Sequence, residues 1–251
     1  MKSVLKNYLR LDGDRSAELE EEVAKEVALA IFVNGRYFAT AMISPQMKKE
    51  FVVGHLLSEG VIDSMGDIES MKIRGDIAKV ITKRAIRTFA AKKVIVSGCG
   101  GTSSFLDESK LLKVDSKLKL DRKIVFEGMK EILRSDLHKR TRGMHSCAIL
   151  GGSKRERICI SEDIGRHNAL DKVIGYSLVK KHHFPDTFVV CTGRISSDMA
   201  LKCSRAKIPI IASRGAATSL AIDIANKTGL TVIGFVRGRR MNIYSNEQRI
   251  R

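Results

Sequence analysis

The sequence predicts an α/β protein: a three-layer α/β/α core with a mixed, largely parallel sheet, preceded by a small α+β unit rich in hairpins. Three observations predict it. From Phe188 to Tyr244, short apolar runs alternate with amphipathic helical stretches, the pattern of strands joined by helical crossovers. Near the N-terminus, two apolar runs flank Asn34-Gly35, a strong two-residue turn signal. Between these regions a basic stretch, 83–93, separates two halves of different pattern and sets the expected boundary between units 1–90 and 91–251.

In the first unit, Val27 to Val33 and Tyr37 to Ile43 form the arms of a hairpin over 26–44. Pro45 opens a helical stretch in which Phe51, Val52, His55 and Leu56 fall at helical spacing, with Gly60 as its cap. Met71 to Thr82 reads as a second hairpin turning at Gly75-Asp76. In the second unit, Val94-Ile95-Val96 is a short strand. Residues 123–139 read as one helix, and Ser146 to Leu150 and Ile158 to Ile160 as strands around Gly151-Gly152. Asn168 is the expected N-cap of a helix with an apolar stripe through Leu170, Val173 and Ile174. Then follow a strand to Cys191, a helix 196–207, a strand from Ile210, a helix from Thr218 ended by Gly229, a strand Thr231 to Phe235, and a last strand near Met241 to Tyr244.

Composition narrows the function classes. With 43% hydrophobic and 29% charged residues, a chain of 251 residues can bury a sizeable core. Apolar runs such as Leu29 to Val33 fall far short of the roughly 18 residues of a membrane helix, so no membrane association is expected. No apolar segment of the secretory type follows Met1, and the five cysteines are odd in number with no C-x-x-C pair. A disulfide framework and a four-cysteine zinc site are therefore not expected, and a reducing cytoplasm is. The net charge of +17 favours polyanionic ligands. Tryptophan is absent and aromatics make up 5%, which gives a base-stacking surface little to build on and argues against nucleic acid.

Chemistry collects in four glycine-containing segments that follow candidate strands: 98–102, 162–168, 192–198 and 213–219. The last three lead into helices and carry Arg166, Arg194 and Arg214. Free N–H groups at a helix start and the planar fork of arginine both suit phosphate oxygens. Any one such loop is better explained as a capped loop with a solvated arginine; three in succession favour an anionic ligand. His167, between Arg166 and Asn168, is the histidine best placed for ligand contact or proton transfer. Cys99 stands between glycines just past a strand, where its sulfur can be approached and nearby cations would favour thiolate. Cys147, Cys159, Cys191 and Cys203 lie in apolar runs and read as packing residues.

These residues carry a resemblance. Gly98-Cys99-Gly100, the run Glu162-Asp163-Ile164-Gly165-Arg166-His167-Asn168-Ala169-Leu170-Asp171-Lys172, Thr192-Gly193-Arg194 with Lys202, Ser213-Arg214 and Gly234-Phe235-Val236-Arg237-Gly238 resemble the formate dehydrogenase accessory sulfurtransferase family, FdhD/NarQ. The likeness runs from about Asn34 to Tyr244. It implies a cytidine-deaminase-like core, commonly dimeric, and a sulfurtransferase that works through a cysteine persulfide. The sulfur would come from a cysteine desulfurase. It would go to the molybdenum or tungsten bis(molybdopterin guanine dinucleotide) cofactor of formate dehydrogenase. Residue by residue, Cys99 matches the persulfide cysteine. The stretch Phe235, Val236, Arg237, Gly238, Arg239 and Arg240 matches the cofactor-binding segment. With Arg166, His167, Asn168, Arg194, Ser213 and Arg214 it makes the expected site for the guanine nucleotide portion, a GDP-like moiety. No protein-ligated metal is expected, since H-x-E and P-C-x-x-C are both missing.

One departure stands out. Many members carry C-x-x-C where this chain has Cys99-Gly100-Gly101-Thr102, so no neighbouring thiol can take part in a relay. A non-catalytic chaperone or binding protein for the same cofactor is the alternative reading.

Overall fold

The computed structural model describes residues 3–83, 93–95, 111–134, 136–152 and 156–251. The chain opens with a feature that its sequence pattern did not announce. Strands β1 (Ser3–Asp12) and β2 (Arg15–Ala24) pair only with each other, as an antiparallel ribbon turning at Gly13-Asp14. Strands β3 (Val27–Val33) and β4 (Arg36–Ile43) form the expected hairpin. Both turn residues take positive φ, 51° for Asn34 and 78° for Gly35, which suits the twist of the flanking strands. Leu29, Ile31 and Val33 alternate inward on one arm, and Ala39, Ala41 and Ile43 on the other.

Helix α1 (Lys48–Ser58) begins three residues after Pro45, and Gly60 ends it at φ 72°. Strands β5 (Ile68–Arg74) and β6 (Ile77–Thr82) form the second expected hairpin. Strand β7 (Lys93–Ile95) is the short strand expected near Val94, and it pairs in parallel with β4. The first large sheet is thus β5-β6-β3-β4-β7.

Residues 123–139 do not form one helix. Helix α2 (Arg122–Leu133) starts at Asp121, whose Oδ1 accepts the Lys123 N–H at 2.8 Å. It ends where the Arg134 N–H turns to the Glu131 carbonyl, and α3 (Asp136–Thr141) follows separately. Strands β8 (His145–Gly151) and β9 (Arg157–Asp163) pair antiparallel. After them come α4 (Arg166–Val179), β10 (Thr187–Cys191), α5 (Ser197–Arg205), β11 (Ile210–Ser213), α6 (Ser219–Thr228), β12 (Thr231–Arg237) and β13 (Arg240–Ile243).

The second large sheet runs β13-β12-β11-β10-β8-β9. It is mixed, as expected, but only β10, β11 and β12 are mutually parallel. The other three pairings are antiparallel, because β8–β9 and β12–β13 are joined by short turns and not by crossover helices. Phe188 and Val190 of β10 face α2, packing with Leu150, Ile210, Ala212 and Ile233. Val189 and Cys191 face the other way, into a core shared with α4, α5, α6, α1 and the inward side of the first sheet. The second sheet is therefore covered by helices on both faces. No described helix is long and apolar enough to cross a membrane.

Candidate functional site

Because β10, β11 and β12 run parallel, the segments after them leave from one edge of the sheet. Hydrogen bonds tie these segments together. Ser213 Oγ donates to the Gly193 carbonyl at 2.5 Å and accepts the Gly215 N–H at 2.9 Å. The Ile195 N–H donates to Ala216 O, and the Thr218 N–H to Ile195 O. Phe235 N–H reaches Gly215 O at 2.9 Å, and Arg237 Nε reaches Arg214 O at 3.3 Å. Phe235 itself sits at φ 52° in the left-handed region, a position that turns β12 toward β13.

The segment before α4 closes on the same edge. At Gly193 a Cβ would lie 2.8 Å from both Cβ and Cδ of Arg166, so only glycine allows this approach. His167 Nε2 lies 3.0 Å from Ser196 Oγ, the hydroxyl of the residue that precedes α5. Arg166 is half-buried, while Arg194, Arg214, Arg237, Arg239 and Arg240 are exposed. The Arg237 guanidinium stands 5.7 Å from the Phe235 ring centroid. Beside it, Arg214, Arg237 and Gly238 line a cavity of about 170 Å³ whose far wall is Phe126, Met129, Lys130 and Leu133 of α2. The edge is thus a concave cationic rim with an apolar wall, suited to a flat aromatic ligand bearing phosphates.

Burial first, and then the Arg166 and Lys202 charges, lower the His167 pKa to about 3. The imidazole is therefore neutral at physiological pH, where it is a weak base and serves as a hydrogen-bonding group to Ser196 and to a ligand at the rim. In the unfolded chain it would protonate near pH 6.5. Between these values the unfolded state binds the extra proton, so stability should fall as pH drops from about 6.5 toward 3. His167→Gln should flatten the fall of melting temperature between pH 7 and 5; an unchanged slope would contradict this neutral state.

Beneath the rim lies a buried ionic framework. Asp163, fully buried, accepts from Ser44 N at 3.0 Å, Gly165 N at 3.0 Å and Asn168 Nδ2 at 2.9 Å, and pairs with Lys172 at 2.5 Å. Lys172 Nζ also donates to the Ser44 carbonyl at 3.0 Å. A second node centres on Asp171, bound by Lys202 at 2.6 Å, His55 at 3.3 Å and Ser58 Oγ at 2.8 Å. Burial alone would raise the Asp171 pKa, but Lys202 and His55 outweigh it and hold the carboxyl at about 2. Ser44 closes β4, so the first node fixes the end of the first sheet against the segment that carries Arg166 and His167.

The structure divides the expected site residues into two groups. Arg166, His167, Arg194, Arg214, Phe235, Arg237 and Gly238 meet at the rim, with Arg239 and Arg240 exposed just beyond. Asn168, Ser213 and Val236 are buried. Asn168 is not the N-cap of α4; Gly165 is. The Asn168 amide instead bonds Met42 O at 2.8 Å and Asp163, which draws it inward. Ser213 holds two loops together. Sequence reasoning missed Ser44, Asp163, Lys172 and Lys202 as a framework. Their one local signal was the charged pair Asp171-Lys172 set between Leu170 and Val173 in an apolar helix stripe.

Four thiols are accounted for. Cys147, Cys159, Cys191 and Cys203 are buried and free. Burial raises the thiol of Cys191 to about 11 and of Cys159 to about 12, and it raises Cys147 and Cys203 as well. None of these is a ready nucleophile. Cys99 and its neighbours 98–102 lie outside the described residues, but their point of departure does not. Strand β7 runs parallel to β4 with Ile95 opposite Ala41. Three residues after Ala41, just past the end of β4, the Ser44 N–H donates to Asp163 and the Ser44 Oγ accepts the Ile164 N–H at 3.2 Å. The four expected loops therefore do not all follow strands of one sheet. The Cys99 segment follows an edge strand of the first sheet, on the end that is docked to the Arg166 segment.

The FdhD/NarQ family model matches residues 24–251. The sulfur carrier protein FdhD of Geobacillus kaustophilus is 36% identical over 247 residues, covering 94% of this chain and 92% of that protein. The protein of the same name from Methanothermobacter thermautotrophicus is 37% identical over 243 residues, covering 96% of each. A protein from Desulfotalea psychrophila, solved as a candidate formate dehydrogenase accessory protein, superposes with a TM-score of 0.84 at 26% identity, over 100% of both chains. With the fold, the matched residues and these relatives in agreement, the chain belongs to the FdhD/NarQ family.

Proposed function

We propose that this protein is a sulfur carrier in the maturation of formate dehydrogenase, with Cys99 as the carrying residue. The Cys99 thiolate attacks the outer sulfur of a cysteine desulfurase persulfide. The S–S bond of the donor breaks, the desulfurase thiolate leaves, and Cys99 holds the new persulfide. The reduced molybdenum or tungsten bis(molybdopterin guanine dinucleotide) cofactor, as substrate, then supplies the electron pair that forms its bond to the outer sulfur; the S–S bond breaks, and Cys99 leaves as thiolate.

The observation that supports this most is the docking of the end of β4, next to β7, onto the segment carrying Arg166 and His167. Cys99 comes four residue steps after Ile95, at most about 14 Å of extended chain. The docked end of β4 beside β7 thus supports a carrier cysteine that works next to the cationic rim. The rim offers arginine forks for the pyrophosphates and an apolar wall for guanine, and the neutral His167 offers a hydrogen bond beside them. Arg214→Ala and Arg237→Ala should each weaken GDP binding by roughly 1.5–3 kcal/mol, the range for a charge-assisted hydrogen bond. Calorimetric titration that finds both affinities unchanged would remove the nucleotide from this rim.

A further inference from the structure

One arginine of the rim lies apart from the cavity that Arg214 and Arg237 line. Arg166 Nε is buried and has no hydrogen-bond partner among the described residues. Buried donors are nearly always paired, so this one asks for a ligand or a structural reason. Its side of the sheet follows from the alternation of β10. Phe188 and Val190 point toward α2, and Val189 and Cys191 toward α4 and α5. Burial raises the Cys191 thiol, and the nearby Arg166 charge works against that rise, which places Arg166 on the α4 and α5 side. The cavity of Arg214, Arg237 and Phe126 lies on the other side, against α2.

Three further polar side chains gather around Arg166. Gly193 lets the Arg166 stem lie on its backbone, and the same missing Cβ would stand 3.3 Å from His145 Nδ1. That shared point sets the His145 ring beside Arg166. His145 opens β8 on the same face as the buried Cys147, two positions on. His167 lies 3.0 Å from Ser196 Oγ, and after burial it is the charges of Arg166, Lys202 and His145 that hold its pKa down. The Ser196 hydroxyl makes no cap bond to α5. Asp171 also acts on His167, but Lys202 binds its carboxylate at 2.6 Å. A guanidinium, two imidazoles and a hydroxyl, with the neighbouring carboxylate already neutralised, select a compact anion. We infer that Arg166, His145, His167 and Ser196 form a second anion subsite, separate from the nucleotide cavity, which takes a compact oxyanion of the same bound cofactor. The identity of that cofactor rests on the sulfur-carrier reading above. Two of its groups offer this chemistry: a further phosphoryl group, and the oxygen ligands of molybdenum or tungsten. The cofactor then straddles the Gly193-Arg194 turn, with its guanine against α2 and its oxyanion toward α4 and α5.

The test is calorimetric titration of the full chain with molybdate and with inorganic phosphate, each with and without saturating GDP. The wild type should bind the oxyanion equally well in both conditions. Arg166→Gln should weaken oxyanion binding about tenfold or more and Ser196→Ala about threefold or more, as expected for a charge-assisted and a neutral hydrogen bond. Both should keep the wild-type affinity for GDP, and Arg214→Ala should show the reverse pattern. If circular dichroism shows Arg166→Gln to be unfolded, Ser196→Ala decides alone. Phosphate that displaces molybdate would assign the subsite to a phosphoryl group, and phosphate that does not would assign it to the oxygen ligands of the metal; either supports an oxyanion subsite. Failure to bind both ions, displacement of the oxyanion by GDP, or wild-type oxyanion affinity in the folded variants, which would mean an adventitious ion only, would each overturn the inference. A wild type that binds the oxyanion but not GDP would instead contradict the nucleotide reading of the rim and leave this subsite standing.

Discussion

Lys172→Met is expected to destabilise the fold by about 3–5 kcal/mol, the range for removing one partner of a buried ion pair. The Asp163 carboxylate would remain fully buried with its counter-charge gone. Its remaining donors, from Ser44, Gly165 and Asn168, are neutral. Because Ser44 closes β4 and Gly165 precedes α4, the loss should loosen the docking of the first sheet on the rim as well as lower global stability. Asp163→Asn combined with Lys172→Met should recover a large part of the loss, since no unpaired charge is then buried. Urea unfolding of the two proteins reads both effects. A single-mutant loss under about 1 kcal/mol would show that the pair does not hold these elements together.

The second large effect lies between α1 and α4. A Cβ at Gly54 would fall 1.8 Å from the Asp171 carbonyl oxygen, and one at Gly175 would fall 1.8 Å from the Glu50 carbonyl oxygen. The two glycines let the helix backbones touch, which brings His55 and Ser58 of α1 onto Asp171 of α4. Any side chain at either position must push the helices apart by more than 1 Å. Gly54→Val should therefore destabilise by about 3 kcal/mol or more, at the upper end for overpacking. Gly66→Ala, whose Cβ would meet only Ser64 Oγ at 3.4 Å, should change little and serves as the control. Equal melting temperatures for the two variants would contradict the close crossing.

What was legible in the sequence follows from how local each determinant is. The hairpins β3–β4 and β5–β6 were legible because Asn34-Gly35 and Gly75-Asp76 are turn chemistries that act within four residues. The parallel strands β10 to β12 were legible because Thr218 and Gly229 punctuate the helix between two of them. The ribbon β1–β2 was not, because both its faces are largely exposed and its leucines share a face with charged partners, which dilutes the apolar alternation. The partner of β7 was not legible either, since a three-residue apolar run does not say which sheet it joins.

At the site, the arginines could be named because they follow strands and precede helices. The framework beneath them could not. Ser44 is 119 positions from Asp163 and 128 from Lys172, and His55 is 116 from Asp171. Local pattern carries no information about which of 73 charged side chains the fold will take inside. The misplacement of Asn168 has the same origin. Its amide is claimed by Met42, 126 positions away, so a residue type that favours a helix cap became an interior strut.

The central claim is that Cys99 carries the sulfur, and intact-protein mass spectrometry after incubation with a cysteine desulfurase and cysteine tests it most directly. The wild type should gain one sulfur atom, lost again on treatment with a thiol reductant. Without a second thiol at Thr102, the loaded form should persist until an acceptor or reductant arrives. The Cys99→Ser variant should keep the GDP affinity of the wild type and gain no sulfur. The four buried cysteines cannot substitute for it, since burial holds their thiols protonated. A Cys99→Ser protein that still gains one sulfur atom per chain would contradict the account and move the carrier to another cysteine.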